Sequence, residues 1–211
     1  MPNVIVAISG KRGAGKSTLA DILIKDYGFK RVSFAAPLKE RVKRDFDLSE
    51  DQVNGCLKEL IDPRYGKTPR DIMIAYGDMF RSIDSEYWVR AAEAQLVDLD
   101  APAVIDDMRY ENEAFMLMRR GAYMVRLNRL QEDNVYKGLI DKPSECALDQ
   151  FRSFDLRISG EENRTPQQLS DVAERIANAC NLHRHINLKV LRSDNAGDFS
   201  DDTIDIDGVG C

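Results

Sequence analysis

The sequence predicts an α/β fold in which helices cover both faces of a parallel β-sheet. Two observations carry this prediction. A short apolar run, residues 4–8, leads into a glycine-rich loop and then into residues 18–24, whose apolar positions have helical spacing. Further apolar runs then alternate with helical segments, a pattern typical of parallel sheets. Ligands of such sheets bind beyond the carboxyl ends of the strands, so we expect the functional residues there.

The later elements are predicted from periodicity, caps and turns. Residues 31–35 predict a second strand. The helix predicted after it is rich in basic residues, for which two interpretations stay open: a cleft wall that attracts phosphate, or an ordinary solvated surface. Thr68 followed by Pro69 predicts a helix start, and Thr165 with Gln168 predicts a capping box. The predicted helices cover residues 49–60, 68–83, 87–96, 113–120 and 165–180, and the predicted strands cover residues 103–105, 123–127 and 154–158.

Length and composition predict one domain of a soluble protein. Of 211 residues, 43% are hydrophobic and 31% charged, which suits a single domain over residues 1–191 with a small lid. Residues 192–211 hold six aspartates against one arginine and predict a loosely ordered acidic tail. The nearly neutral remainder lacks the charge of a dedicated duplex-DNA binder. Four dispersed cysteines and the lack of a leader or transmembrane stretch predict a cytoplasmic protein without membrane partners.

The glycine-rich loop fits the phosphate-binding pattern G-x-x-x-x-G-K-[ST] at every fixed position. Its glycines let backbone N–H groups and the helix N-terminus face a phosphate. We predict that Lys16 reaches the β- and γ-phosphates of ATP and that the Ser17 hydroxyl binds Mg²⁺. The predicted nucleotide-binding residues are Gly10, Arg12, Gly13, Ala14, Gly15, Lys16, Ser17 and Thr18.

Charged residues recur where the predicted strands end. Asp106 and Asp107 follow an apolar strand, where a carboxylate holds Mg²⁺ through its water shell or caps the next element. Guanidinium groups bind phosphate oxygens with two hydrogen bonds at once. The arginines predicted to line the crevice, each with a surface ion pair as the alternative, are Arg70, Arg81, Arg109, Arg126 and Arg129.

Several segments together resemble the bacteriophage deoxynucleoside monophosphate kinases. The resemblance covers most of residues 1–182, and its two middle segments are the ones most specific to that family. Residues 107–113, DMRYENE, look like that family's D-V-R-F-x-N-E segment. The other matching segments are the phosphate loop, residues 32–39, 68–70 and 77–81, Trp88, and residues 144–145 with 154–155.

The resemblance implies an adenylate-kinase-like fold with five parallel strands, a monophosphate-binding region over about residues 36–100 and a lid over about 128–147. It implies that Asp107, rather than Asp106, organises the metal and lies with Arg109 beside the transferred phosphate. The lid holds only Arg129, Lys137 and Lys142 as cations, so the group that clamps the transition state stays open, with Arg126 and Arg129 as candidates. The resemblance assigns Arg70 and Arg81 to recognition of the monophosphate, and the full set of predicted substrate-binding residues is Ser33, Phe34, Lys39, Arg70, Tyr76, Arg81, Trp88 and Glu145.

The acceptor distinguishes the possible kinases. A hydroxyl acceptor needs a base, whereas a monophosphate is already ionised at neutral pH. Residues 33–38 hold no carboxylate, which favours transfer from ATP to a deoxynucleoside monophosphate. Two alternatives stay open: a kinase acting on a hydroxyl such as hydroxymethylpyrimidine in DNA, which would bind nucleic acid, and a nucleotide-binding regulatory protein without transfer activity. The oligomeric state is open too, with a homodimer as one expectation.

Overall fold

The computed structural model describes residues 4–97, 99–128, 146–163 and 165–181. The strands are β1 (Ile5–Gly10), β2 (Lys30–Arg31), β3 (Ala103–Ile105), β4 (Tyr123–Leu127) and β5 (Leu156–Ile158). The α-helices are α1 (Lys16–Tyr27), α2 (Ala35–Asp45), α3 (Glu50–Val53), α4 (Pro69–Ile83), α5 (Tyr87–Val97), α6 (Glu111–Arg119) and α7 (Pro166–Ala179), and a 3₁₀ helix spans Cys56–Glu59. No helix within these ranges combines the length and apolar character needed to cross a membrane.

All five strands run parallel in the order β2-β3-β1-β4-β5. The central strand β1 pairs with β3 on one side and with β4 on the other, so that Ser9 lies opposite Arg126. Parallel strands place their carboxyl ends at one edge of the sheet. The phosphate loop, the residues after β3 and the end of β4 therefore meet there, and the predicted parallel α/β fold is confirmed.

Each face of the sheet has its own apolar core. Val6, Ile8 and Val104 pack against α1 and α7 on one face, and we call this the α1 face. Ala7 and Ile105 belong to the core packed against α5 and α6 on the other, which we call the α6 face. Because consecutive strand residues point to opposite faces, the side chains of the residues that directly follow β3 continue to alternate between the α1 face and the α6 face.

A third apolar cluster joins α2, α4 and α5 beside the sheet. It contains Leu38 and Val42 of α2, Ile72 and Met73 of α4, and Trp88 of α5, all buried. Thr68 caps α4 by accepting the N–H of Asp71, and Pro69 opens the helix, as the sequence predicts. This cluster holds α4 against α2 within the region predicted to bind the acceptor.

Several element boundaries differ from the sequence prediction. Strand β2 ends at Arg31, because residues 33–35 turn into the start of α2 instead. Residues 49–60 form two short helices instead of one, and Gly55 lies between them at a close contact, where a Cβ would be 2.8 Å from the Asp51 Cα atom. The last strand begins at Leu156 rather than at residue 154, and α6 begins at Glu111.

Candidate active site

The phosphate loop connects β1 to α1 in a shape that requires two of its glycines. A Cβ at Gly10 would lie 2.6 Å from the Leu127 carbonyl oxygen, so the loop leaves the sheet in close contact with β4. Gly15 adopts a left-handed φ of 89° immediately before α1 begins, a conformation that glycine tolerates best. The backbone therefore curls around a space in front of the α1 N-terminus.

Lys16 and Ser17 project from the first turn of α1. The Lys16 Nζ atom donates to the carbonyl oxygens of Gly10 at 2.7 Å and Lys11 at 2.9 Å. Ser17 is exposed, as are Thr18 and Arg12 of the predicted nucleotide-binding set, whereas Ala14 is buried. The predicted loop residues thus lie together, with an ammonium group folded over the loop and a hydroxyl beside it.

Asn163 supports the phosphate loop and carries no signal in the sequence. Its buried amide Nδ2 donates to the Ala14 carbonyl at 3.1 Å and to the Asn128 carbonyl at 3.1 Å. One side chain from the segment before α7 therefore ties the loop to the end of β4. No motif marks this asparagine, because its partners are backbone atoms far away in the sequence.

Asp106 and Asp107 face opposite sides of the sheet. Asp106 lies on the α1 face, where its Oδ1 atom is 3.3 Å from Arg31 Nε. The same guanidinium donates through Nη2 to the Ser17 carbonyl at 3.4 Å and to Asp21 of α1 at 3.0 Å. One arginine thus bridges Asp106 and Ser17, which brings this carboxylate to the Ser17 end of α1.

Asp107 fastens the start of α2 instead. Its Oδ2 atom accepts the Ser33 hydroxyl at 2.6 Å and the Ala35 N–H at 2.9 Å, and its Oδ1 atom accepts the Phe34 N–H at 3.1 Å. The metal-organising role that the resemblance implies for Asp107 stays a prediction. Ser33 is part of the same cap, and Phe34 is buried in the α6-face core, so the predicted substrate contacts of both stay predictions too.

Arg126 lies buried at the end of β4, next to the phosphate loop. Its Nη1 atom donates to Ser9 Oγ at 2.9 Å, and its Nη2 atom donates to Asp149 Oδ1 at 2.6 Å. The other Asp149 oxygen is 3.2 Å from Lys11 Nζ in the phosphate loop. Asp149 therefore joins a loop lysine to a buried arginine, and no local pattern marks it because it belongs to an irregular segment.

Arg81 near the end of α4 contacts an aromatic ring and one carboxylate. Its Cζ atom is 4.8 Å from the centroid of the Tyr110 ring. Its Nη1 atom donates to Asp78 Oδ1 at 3.1 Å. Tyr110 follows Asp107 and Arg109 in the segment after β3, so Arg81 lies at the carboxyl edge of the sheet, as the prediction requires.

The aromatic residues of α4 and α5 pack mainly on one another. Trp88 is only 2% exposed, and its indole N–H donates to the Gly77 carbonyl at 3.1 Å. Trp88 therefore has a packing role in this structure, and its predicted substrate contact stays a prediction. Tyr76 lies between Phe46 and Phe80 and donates its hydroxyl to Asp45 at 2.6 Å, so its stacking on a nucleobase stays a prediction.

Two further predicted substrate residues form surface pairs. Arg70 Nε is 2.5 Å from Glu59 Oε1 of the 3₁₀ helix. Lys39 Nζ donates to Asn54 Oδ1 at 2.8 Å. Both contacts join neighbouring segments of the region around α2 and α4. They match the alternative of ordinary surface contacts that the sequence left open.

Glu113 is a buried carboxylate behind the Arg109 segment. It is 4% exposed, and its Oε2 atom accepts the N–H groups of Arg109 at 2.7 Å and Tyr110 at 3.1 Å. Burial raises the pKa of Glu113 to about 7, and the Asp107 charge acts in the same direction. The two N–H groups and Arg81 favour the ionised form and oppose this rise.

Glu113 is expected to make the stability of the protein depend on pH. The folded protein holds this proton more tightly than the unfolded chain, whose pKa is 4.5. The free energy of unfolding should therefore fall as the pH rises from about 4.5 to about 7, by ~3 kcal/mol from this group. Glu113→Gln keeps an acceptor oxygen but cannot ionise, so urea unfolding should show a weaker pH dependence.

The matched control for this prediction is Glu111→Gln, which changes an exposed carboxylate in the same helix turn. It should retain the pH dependence of the parent protein. Equal pH slopes for the parent and Glu113→Gln would contradict the assignment of this titration to Glu113.

Several predicted features lie outside the described residues. They are Arg129, Glu145, all but the ends of the predicted lid, and the acidic tail over residues 192–211. Asn128 and residues 146–147 are the parts of the predicted lid that the structure describes. The lid and its transition-state arginine therefore stay predictions.

Sequence comparisons match this chain to kinases. A family model described as phosphomevalonate kinase matches residues 8–121. A protein of Acanthamoeba polyphaga mimivirus named "Putative deoxynucleotide monophosphate kinase" is 30% identical over 202 residues. That alignment covers 85% of this chain and 100% of the viral protein.

Structural comparisons agree with the architecture described above. The crystal structure of TT1252 from Thermus thermophilus superposes with a TM-score of 0.51 and 16% identity, covering 85% of this chain and 98% of that one. A shikimate kinase from Bacteroides thetaiotaomicron gives a TM-score of 0.42 at 16% identity, over 85% of this chain and 99% of its own. At these identities the first likeness concerns the fold alone, and the second is too weak to support an argument.

Proposed function

The chain belongs to the P-loop kinases, and from that membership we propose that it transfers the γ-phosphate of ATP to a deoxynucleoside 5′-monophosphate. The family model and the viral relative are both named for kinases whose acceptor already carries a phosphate. A phosphate acceptor is ionised at neutral pH and needs no base to remove a proton. The deoxynucleoside part of the proposal follows the name of the viral relative.

One observation carries the choice of acceptor: the Arg81 guanidinium lies on Tyr110 at the carboxyl end of β3. Guanidinium groups match phosphate oxygens with paired hydrogen bonds. On the same side of the sheet, the Asp107 carboxylate accepts three hydrogen bonds from residues 33–35. These bonds fix the carboxylate to the start of α2, which makes it a poor candidate for the base that a hydroxyl acceptor requires, so the surroundings favour an acceptor phosphate.

The nucleotide would bind at the phosphate loop. In this proposal Lys16 exchanges its carbonyl partners, Gly10 and Lys11, for the β- and γ-phosphates of ATP. Backbone N–H groups of the loop and the α1 N-terminus face the same charge. Arg126 lies buried beside this loop and adds positive charge there, while Asp149 holds it in place. These groups orient the transferred phosphate and stabilise the charge that spreads over it.

Magnesium fits the oxygen donors beside α1. Ser17 supplies a hydroxyl and Asp106 a carboxylate, and Arg31 connects their positions. Such hard oxygen ligands are those that Mg²⁺ prefers, and the ion usually retains several waters and substrate phosphates as further ligands. We therefore give the metal-organising role to Asp106 rather than to Asp107. When bound, the ion would neutralise charge on the β- and γ-phosphates.

Arg81→Ala tests the acceptor assignment. Losing a charge-assisted hydrogen bond is worth about 1.5–3 kcal/mol, so the KM for the preferred monophosphate should rise roughly ten- to a hundredfold. The KM for ATP should barely change. The matched control is Arg120→Ala, which removes an arginine paired with Glu93 on another helix. A monophosphate KM within about twofold of the parent value would contradict the role of Arg81.

The acceptor class is tested on the parent enzyme. ATP turnover should be measured with each deoxynucleoside monophosphate, with phosphomevalonate and with hydroxymethylated DNA. The proposal expects the largest kcat/KM for a deoxynucleoside monophosphate. Preference for phosphomevalonate would retain a phosphate acceptor but reject a nucleotide, and preference for DNA would reject both.

A further inference from the structure

The Arg81 guanidinium is enclosed by groups from two segments. The Tyr110 ring covers it with a Cζ-to-centroid distance of 4.8 Å. On α4 itself, a Cβ at Gly77 would lie 3.0 Å from Arg81 Nη1, so the absence of a side chain makes room for the guanidinium. Asp78 is paired with the same Nη1 atom at 3.1 Å. Arg81 is therefore placed before any acceptor arrives.

The Tyr110 backbone is anchored at the start of α6. Its N–H donates to the buried Glu113 carboxylate at 3.1 Å. Two residues further on, the Asn112 side chain donates to the Ser85 carbonyl at 2.9 Å and to Glu86 Oε1 at 3.0 Å. These bonds attach the start of α6 to the turn between α4 and α5. Tyr110 is thus fixed relative to the end of the helix that carries Arg81.

We propose that Tyr110 is a positioning residue that presents Arg81 to the acceptor phosphate, and that Asp78 is a resting partner which this phosphate displaces. The inference rests on the proposed function and adds two residues to which no role had been given. A ring that covers one face of a guanidinium leaves the N–H groups in its plane available. Among the described residues, only the Asp78 carboxylate accepts from them.

Displacement of Asp78 is energetically reasonable. Its side chain is 63% exposed, and that of Arg81 is 31% exposed. Exposed ion pairs are weak. A phosphate monoester carries up to two negative charges and accepts paired hydrogen bonds from a guanidinium. The acceptor phosphate therefore competes well for Arg81, while the Tyr110 contact can persist because it uses the face of the group.

The first test compares Tyr110→Leu with Tyr110→Phe. Leucine removes the aromatic face, so the KM for the deoxynucleoside monophosphate should rise roughly three- to tenfold. The kcat and the KM for ATP should stay within about twofold of the parent values. Phenylalanine retains the ring and should restore the parent KM. A structural defect alone would not raise the KM for the monophosphate while leaving the KM for ATP unchanged.

The second test is Asp78→Asn, which removes an exposed carboxylate and leaves no cavity in an apolar core. Because the acceptor no longer competes with this charge, its KM should fall about two- to threefold. Glu93→Gln on α5 is the control, since it removes another carboxylate that is paired with an arginine, in this case Arg120. That variant should leave the monophosphate KM unchanged.

The outcomes separate this inference from the function on which it rests. If Arg81→Ala raises the monophosphate KM but Tyr110→Leu does not, the positioning role of Tyr110 is overturned and the proposed function stands. If Tyr110→Phe raises the KM as much as leucine does, the ring face is not the reason and the inference fails. An unchanged or higher KM in Asp78→Asn would overturn the displacement. If Arg81→Ala itself has no effect, the acceptor assignment fails first.

Discussion

Lys16→Ala is expected to lower phosphate transfer at least about a hundredfold without unfolding the protein. Removing one preorganised donor from a transition state costs roughly 10²–10³ in rate. The half-buried Lys16 side chain donates to two backbone carbonyls of the loop, which lies at the edge of the sheet. Its loss should therefore leave the core intact. Ser17→Ala should also reduce transfer strongly, because its exposed hydroxyl is the proposed Mg²⁺ ligand.

Lys25→Ala controls for the loss of a lysine from the same helix, since Lys25 is exposed in the last turn of α1. It should retain parent activity. Thermal unfolding of all three variants should resemble that of the parent. Near-normal transfer in the purified Lys16 variant would contradict the assignment of the phosphate loop.

Asp106→Asn and Asp107→Asn are expected to impair different properties of the protein, the Mg²⁺ requirement in the first case and the stability of the α2 start in the second. A carboxylate that holds the metal through bound water contributes roughly 10- to 100-fold to metal affinity or activity. Asp106→Asn should therefore shift the Mg²⁺ concentration that supports half-maximal transfer upward by about that factor. The protein should fold well, because Arg31 keeps its contacts with Asp21 and Ser17.

Asp107→Asn should instead destabilise the start of α2. An asparagine turns an NH₂ group toward one of the donors on Ser33, Phe34 or Ala35, and a buried group left unpaired costs about 1–3 kcal/mol. We expect a lower free energy of unfolding and a higher monophosphate KM, with little change in the Mg²⁺ requirement. The two are measured by urea unfolding and by titration of activity with Mg²⁺. A larger Mg²⁺ effect for Asp107→Asn would restore the role that the family resemblance implies.

The sequence was sufficient for the fold because each element has a local cause. Thr68 and Thr165 cap helices with their own side chains, and the loop glycines are needed where the backbone turns. The parallel direction of the strands follows from their alternation with helices. Local patterns predict these features, whereas the order of the strands depends on contacts between distant parts of the chain.

The division of roles between Asp106 and Asp107 could not be read from local patterns. Alternation along a strand predicts that the two face opposite sides, but it does not say which side holds α1 and which holds α2. Strand β2 ends early because distant Asp107 accepts bonds from residues 33–35. Asn163 and Asp149 were missed for the same reason, since each acts through partners that only the folded chain brings near.

The most direct measurement follows the label from ATP carrying a radioactive γ-phosphate. The parent enzyme is incubated with this ATP, Mg²⁺ and one deoxynucleoside monophosphate at a time, with Lys16→Ala as the blank. The proposed function predicts that label appears in the β-phosphate of the deoxynucleoside diphosphate, for at least one base, and that the blank shows none. Label recovered only as inorganic phosphate, or retained in ATP with every monophosphate, would contradict it.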